Sequence, residues 1–90
     1  MLINYNKEQL KEVIKECVSI IYEEKEIQDD TDLINDLGFD SISLMKMVLE
    51  IESRFKISFE IDLKYEEIST FLNLYKYVEE RIEENKNEQK

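Results

Sequence analysis

One short stretch of this 90-residue chain combines residue types suited to covalent chemistry: Gly38-Phe39-Asp40-Ser41-Ile42, followed at once by an apolar-patterned run from Ser43 to Phe55. The spacing sets the Ser41 hydroxyl at the mouth of a helix. A serine nucleophile needs a base, most often histidine, to lose its proton near neutral pH. The chain contains no histidine, and Lys46 lies five residues on along the same helix, where it points elsewhere. These facts argue against self-contained serine catalysis and for Ser41 as the acceptor of a modification. Free backbone N–H groups and the helix dipole favour an anion at a helix N-terminus, so a phosphodiester on Ser41 takes a favoured place. Asp40 is suited to cap that helix and to offer its carboxylate to a modifying enzyme's metal or basic side chains. Gly38 permits a sharp turn and leaves room for an approaching active site. Asp-Ser is also an ordinary helix start, so these two residues alone do not decide the matter.

Composition narrows the function classes. Ninety residues make one domain. Charged residues reach 38%, a level that suggests disorder, yet the apolar 42% recurs at helical spacing from residue 5 to 84, which argues for a folded chain. Proline is absent and glycine occurs once, which favours an all-helical domain over a turn-rich β fold. The net charge of −10 disfavours nucleic acid and suits a basic protein partner, or simply solubility. Cys17 has no disulfide partner in the chain and sits on an apolar face, as a buried inert thiol does. One thiol, no secretory signal and no run of membrane-spanning length point to the cytoplasm.

The elements that must position Ser41 follow from periodicity. Leu10, Val13, Ile14, Cys17, Val18 and Ile21 predict a first helix over about Lys7 to Glu24, with Asn6 as N-cap. A long irregular link, about Ile27 to Asp40, is rich in aspartate and asparagine, which bond to nearby backbone and compete with regular structure. Leu33, Leu37 and Ile34 are expected to pin it to the core, and Thr31 or Asp32 to cap a single turn. The second helix, near Ser41 to Phe55, turns Leu44, Met47, Val48, Ile51 and Phe55 inward. Ile42, Met45 and Leu49 fall on another flank, too apolar for plain solvent exposure, with Glu50 and Ser53 at its rim; Met45 alone is equally suited to packing under a third helix. Lys56 to Asp62 is expected to be an extended connection that docks Ile57, Phe59 and Ile61. A short helical turn over Tyr65 to Ser69 and a final helix over about Thr70 to Glu84 complete the chain, the latter burying Phe71, Leu74, Tyr75, Val78 and Ile82. Residues 7–84 form the core of a single domain spanning 1–90, and a polar tail from Glu83 onward is expected to fray.

The run Asp36-Leu-Gly-Phe-Asp-Ser-Ile, followed by Glu52 and Phe55, resembles the phosphopantetheine attachment site of the acyl and peptidyl carrier proteins. Ile68-Ser-Thr and Tyr77-Val78 resemble the same family's pattern around its last helix, and the likeness spans roughly residues 7 to 84. The resemblance implies a four-helix bundle with a short third helix and a long loop between the first two helices. It implies a protein with no catalysis of its own. A separate phosphopantetheinyl transferase would use coenzyme A and magnesium to place 4'-phosphopantetheine on Ser41. The arm would then hold acyl or aminoacyl groups as thioesters for separate loading and condensing enzymes. Asp40, Ile42, Met45 and Leu49 become the surface read by the transferase and those partners, with the carrier a monomer. The fatty-acid carriers are rich in acids on the exposed face of the second helix, whereas this chain has Ser43, Lys46, Ser53 and Arg54 at exposed positions there and acids only at Glu50 and Glu52. That departure favours a free-standing carrier of a polyketide or nonribosomal peptide pathway over primary fatty-acid synthesis.

Two other classes fit less well. A calcium loop starting at Asp30 and Asp32 would meet Ile34 at its third ligand position and Ser41 where a bidentate glutamate is required. An unmodified helical interaction protein would explain the amphipathic helices but not the serine motif beside an apolar flank. One expectation follows from charge alone. Crowded carboxylates repel, and salt screens them, so the melting temperature is expected to rise with ionic strength. A thermal transition indifferent to added salt contradicts this.

Overall fold

The computed structural model describes residues 6–21 and 26–88. Its regular structure consists of α1 (Lys7–Ser19), α2 (Ser41–Phe55), a 3-10 turn at Tyr65–Ile68 and α3 (Phe71–Glu88). The all-helical class expected from the sequence is what forms. The short third helix takes the form of the 3-10 turn, so the described residues hold three α-helices and that turn where a four-helix bundle was expected.

Helix α1 begins with a reciprocal cap. Asn6 Oδ1 accepts the Gln9 N–H at 2.8 Å, and Gln9 Oε1 accepts the Asn6 N–H at 3.1 Å. Its buried face is Leu10, Ile14, Cys17 and Val18. Burial pushes the Cys17 thiol up to about 11, which keeps it protonated at neutral pH. The helix stops at Ser19, short of the expected Glu24, and Ile21 N–H turns back to Val18 O at 3.0 Å. The adjacent β-branched Ile20 and Ile21 weaken helix propensity at this point. Residues 22–24 of the expected helix lie outside the described residues.

Helix α3 starts where the long loop supplies acceptors. Thr70 Oγ1 caps it by accepting the Asn73 N–H at 3.2 Å. The next two free N–H groups are satisfied from the loop: Phe71 donates to Thr31 O and Leu72 to Asp29 O, each at 2.9 Å. Leu33 N–H returns the bond to Ser69 O at 2.9 Å, beside an isolated bridge between Asp32 and Thr70. Leu33 and Leu37 are buried, whereas Ile34 is exposed and does not pin the loop as expected. Ile27 and Phe39 are further loop residues buried in the core. At its other end α3 runs to Glu88, past the expected end at Glu84 and through part of the tail expected to fray. No glycine or proline interrupts that stretch. Arg81 pairs with Glu84 at 2.6 Å, and Asn85 Nδ2 donates to Lys56 O at 3.2 Å.

The segment after α2 leaves the helix through a left-handed Lys56 and, among the described residues, belongs to no sheet. Several of its backbone groups are met by side chains instead. Glu52 Oε2 accepts the Phe59 N–H at 2.7 Å, the Tyr77 hydroxyl accepts the Glu60 N–H at 2.8 Å, and Arg81 Nε donates to Ser58 O at 2.9 Å. Phe59 packs on Tyr77 with ring centroids 4.9 Å apart. Ile57 is buried and Phe59 is half-buried, but Ile61 is fully exposed in a turn, contrary to expectation. These contacts separate two substitutions of similar size. Leu33→Ala removes a fully buried side chain from the loop anchor and is expected to cost about 2–5 kcal/mol. Ile61→Ser, on a side chain with no burial to lose, is expected to stay within about 0.5 kcal/mol. Chemical denaturation of both variants checks the contrast.

Candidate functional site

The site is built from the loop end and the first turn of α2. Asp32 Oδ1 accepts the N–H groups of Asn35 and Ile34 at 2.7 and 2.9 Å, and Asp36 Oδ2 takes the Asp32 N–H at 2.8 Å. Asp32 thereby caps the single turn, as one of the two expected candidates. Thr31, the other, accepts the Gln28 N–H at 2.8 Å. The turn closes at Gly38, whose N–H donates to Ile34 O at 2.9 Å with φ at +75°. This is a left-handed C-terminal stop that favours glycine. A Cβ built on Gly38 meets nothing within 4 Å, so backbone conformation, and not crowding, calls for glycine there.

Phe39 comes next and turns into the core, its N–H bonded to Leu33 O at 3.0 Å. Asp40 and Ser41 therefore face outward, and both are exposed. Sequence reasoning missed the role of Phe39. The available signal was its place just before the N-cap, with Leu44 four residues into the helix, the pattern of a hydrophobic staple. Tyr65 was missed as well. Its hydroxyl lies 2.9 Å from Asp32 Oδ1 and accepts the Ile34 N–H at 3.2 Å, tying the 3-10 turn to the loop.

Asp40 Oδ1 accepts the Ser43 N–H at 2.8 Å. That bond, joined by the Ser43 hydroxyl, holds the Asp40 carboxyl below its ordinary range. Asn35 N–H does the same for Asp32, with help from Tyr65 and Ile34. Both depressions carry the same sign. Each carboxylate stabilises the fold above its unfolded value of about 3.9, and that contribution is lost as pH falls through the lower folded value. At neutral pH the cap is fully ionised. Ser43 is half-buried and its N–H is held by Asp40, whereas Ser41 stands exposed at the first helical position.

Along α2 the core side consists of Met47, Ile51 and Phe55, with Leu44 and Val48 half-buried against it. Ile42, Met45 and Leu49 are exposed on the outer flank, so Met45 does not pack beneath another helix. Lys46 and Ser53 are exposed as expected, but Ser43 and Arg54 are half-buried. The structure thus brings Asp40, Ser41 and Ile42 together at the helix mouth and spaces Met45 and Leu49 along the same helix.

The chain matches the family described as a phosphopantetheine attachment site over residues 8–78. It is 31% identical to an acyl carrier protein of Thermotoga maritima over 74 residues, which cover 82% of this chain and 88% of that protein. An acyl carrier protein of Coprothermobacter proteolyticus is 32% identical over 75 residues, covering 83% of this chain and 88% of its own. A third, from Exiguobacterium sibiricum, is 31% identical over 78 residues, covering 84% and 98%. The geometry of the site makes its own prediction at Gly38. Gly38→Ala is expected to cost about 1–2 kcal/mol, because a Cβ disfavours the left-handed region. Gly38→Asn is expected to cost less, since asparagine tolerates that region. Equal melting temperatures for glycine and alanine at this position would contradict the assignment.

Proposed function

The chain belongs to the acyl carrier protein family, whose members bear a covalently attached 4'-phosphopantetheine, and from that premise we propose that Ser41 is its attachment point and the whole of 1–90 one carrier domain. The single observation that carries this is the contrast between two neighbouring serines. Ser41 is exposed at the start of α2, while Ser43 is half-buried with its N–H held by Asp40. The residues around Ser41 fit the group. A phosphodiester there would lie at the positive end of a helix dipole, on a side chain open to an approaching transferase, beside a carboxylate already held by its own helix. When bound, the arm supplies a thiol that carries an acyl or aminoacyl group as a thioester. The protein's own residues do the rest. The loop and α2 hold the tether at the surface, Asp40 keeps the first turn wound, and Ile42, Met45 and Leu49 offer contact area to enzymes that visit the arm. Tethering raises the cargo's effective concentration at each of them.

A phosphopantetheinyl transferase and separate loading and condensing enzymes are the partners of this reading, with the protein acting as a cytoplasmic monomer. Among the described residues, no helix is long and apolar enough to cross a membrane. The character of α2 supports a specialised polyketide or nonribosomal peptide pathway over primary fatty-acid synthesis, since its exposed flank carries Lys46 and Ser53 in place of a row of acids. Incubation with coenzyme A, magnesium and a broad-specificity transferase is expected to add one phosphopantetheine to the intact mass. The gain is expected to vanish in Ser41→Ala and persist in Ser43→Ala. No gain with a competent transferase, or a gain that survives Ser41→Ala, would overturn the assignment.

A further inference from the structure

Where the end of α2 meets the later turns of α3, Lys56, Ile57, Ser58, Arg81 and Asn85 line a small cleft. It brings two cations together in a chain of net charge −10. Its apolar lining is limited to Ile57, which is itself buried in the core. The other four residues offer an ammonium, a guanidinium, an amide and a hydroxyl-bearing side chain.

Two features mark the cleft. Lys56 follows α2 in the left-handed region, with φ at +57°, and among the described residues it is the one non-glycine residue with positive φ. Glycine is the residue that such a helix end favours, and side chains kept in this region gather at functional positions. The fold makes no use of the Lys56 amine. Asn85 holds the Lys56 carbonyl, and among the described residues the ammonium forms no ion pair. Arg81 is the second feature. Its Nε donates to Ser58 O at 2.9 Å and its Nη1 to Glu84 Oε2 at 2.6 Å. The backbone contact fixes the guanidinium fork in place, and the Glu84 contact is already one with an oxyanion.

We propose that this cleft binds a phosphate group between the Lys56 ammonium and the N–H groups of Arg81 that Ser58 and Glu84 leave over. A guanidinium fork matches phosphate geometry, and lysine adds a point charge beside it. A cation entering the cleft meets Lys56 and Arg81 as like charges, and an apolar ligand finds little apolar surface. The chain's overall negative charge repels anions at a distance, so the affinity is modest and the contact local. A bound phosphate bridges Lys56 to Arg81 and so ties the segment after α2 to α3, which favours the folded chain. The inference does not rest on the carrier reading. That reading concerns Ser41 at the other end of α2, about 21 Å away at 1.5 Å per residue.

Titration of inorganic phosphate, and separately of O-phosphoserine, into the 15N-labelled full chain tests this. Ionic strength and pH are held constant, so that general screening does not change. Saturable shifts are expected at the amides of residues 56–58, 81 and 85. A response to inorganic phosphate alone identifies a free ion as the ligand, and a response to both a phosphoryl group borne by a larger molecule. Lys56→Gly is expected to weaken binding by about two- to fivefold, the range of a single exposed ion pair. It is expected to do so without lowering the phosphate-free melting temperature, since glycine suits the left-handed backbone. Glu84→Gln is expected to strengthen binding, because it removes the carboxylate that competes for Arg81. Arg81→Gln is expected to abolish it. Amides at the cleft that answer neither ligand would overturn the proposal. So would affinities unmoved by both Lys56→Gly and Glu84→Gln, the result if Lys56 only offsets the carbonyl end of α2. Loading of Ser41 is a separate measurement, and neither result decides the other.

Discussion

The structure depends on a backbone clamp between the long loop and the start of α3. A helix begins with N–H groups that lack partners, and here the loop carbonyls of Asp29 and Thr31 supply them, while Leu33 bonds back to Ser69. The clamp satisfies both sides at once. It ends the search of a polar, aspartate-rich segment for a conformation, and it gives α3 a defined first turn. Tyr65 extends the clamp sideways by joining the 3-10 turn to Asp32. From this fixed point the chain runs by a short path to α2. It passes through the left-handed Gly38 and the buried Phe39, then out to Asp40 and Ser41. The exposure of the Ser41 hydroxyl is thus set by contacts several residues upstream.

Charge is organised with similar economy. Acidic side chains near the site spend their lone pairs on local backbone: Asp32 on Ile34 and Asn35, Asp36 on Asp32, Asp40 on Ser43. Acids on α2 are joined to Arg54 or to the following segment. A further acidic run, Glu79, Glu80, Glu83 and Glu84 of α3, lies near where Arg81 and Asn85 hold residues 56–58. Net charge alone suggests a uniformly negative molecule suited to basic partners. The acids lie on the loop and on the outer helices, and the outer flank of α2 is apolar at Ile42, Met45 and Leu49.

Much of this was legible in the sequence, for physical reasons that differ by element. Helical period placed α1, α2 and α3 and their inward faces, because repeated three- and four-residue spacing admits few other readings. The cap residues Asn6, Asp40 and Gly38 were legible because each residue type has a narrow conformational use. What escaped the sequence depends on distant partners. Nothing local to Tyr65 announces Asp32 as its neighbour, and nothing in Glu52 announces the Phe59 N–H seven residues on. Phe39 was overlooked because one aromatic residue in a polar loop has no period to betray its burial. Ile61 failed in the opposite sense. It continues an apparent alternation with Ile57 and Phe59, but a turn at 61–62 carries it into solvent. The helical end at Glu88 was misjudged because polarity was read as fraying, although the residues there are compatible with a helix and Asn85 reaches back to Lys56.

The central claim is that an exposed serine at the head of α2, and no other side chain, is the tether of this carrier. Tandem mass spectrometry of the protein purified from its native cells tests that most directly, since the fragment spanning residues 39–46 contains both candidate hydroxyls. The account predicts phosphopantetheine localised to Ser41, with Ser43 bare. The group found on Ser43, or a working protein that never bears it on either residue, would contradict it.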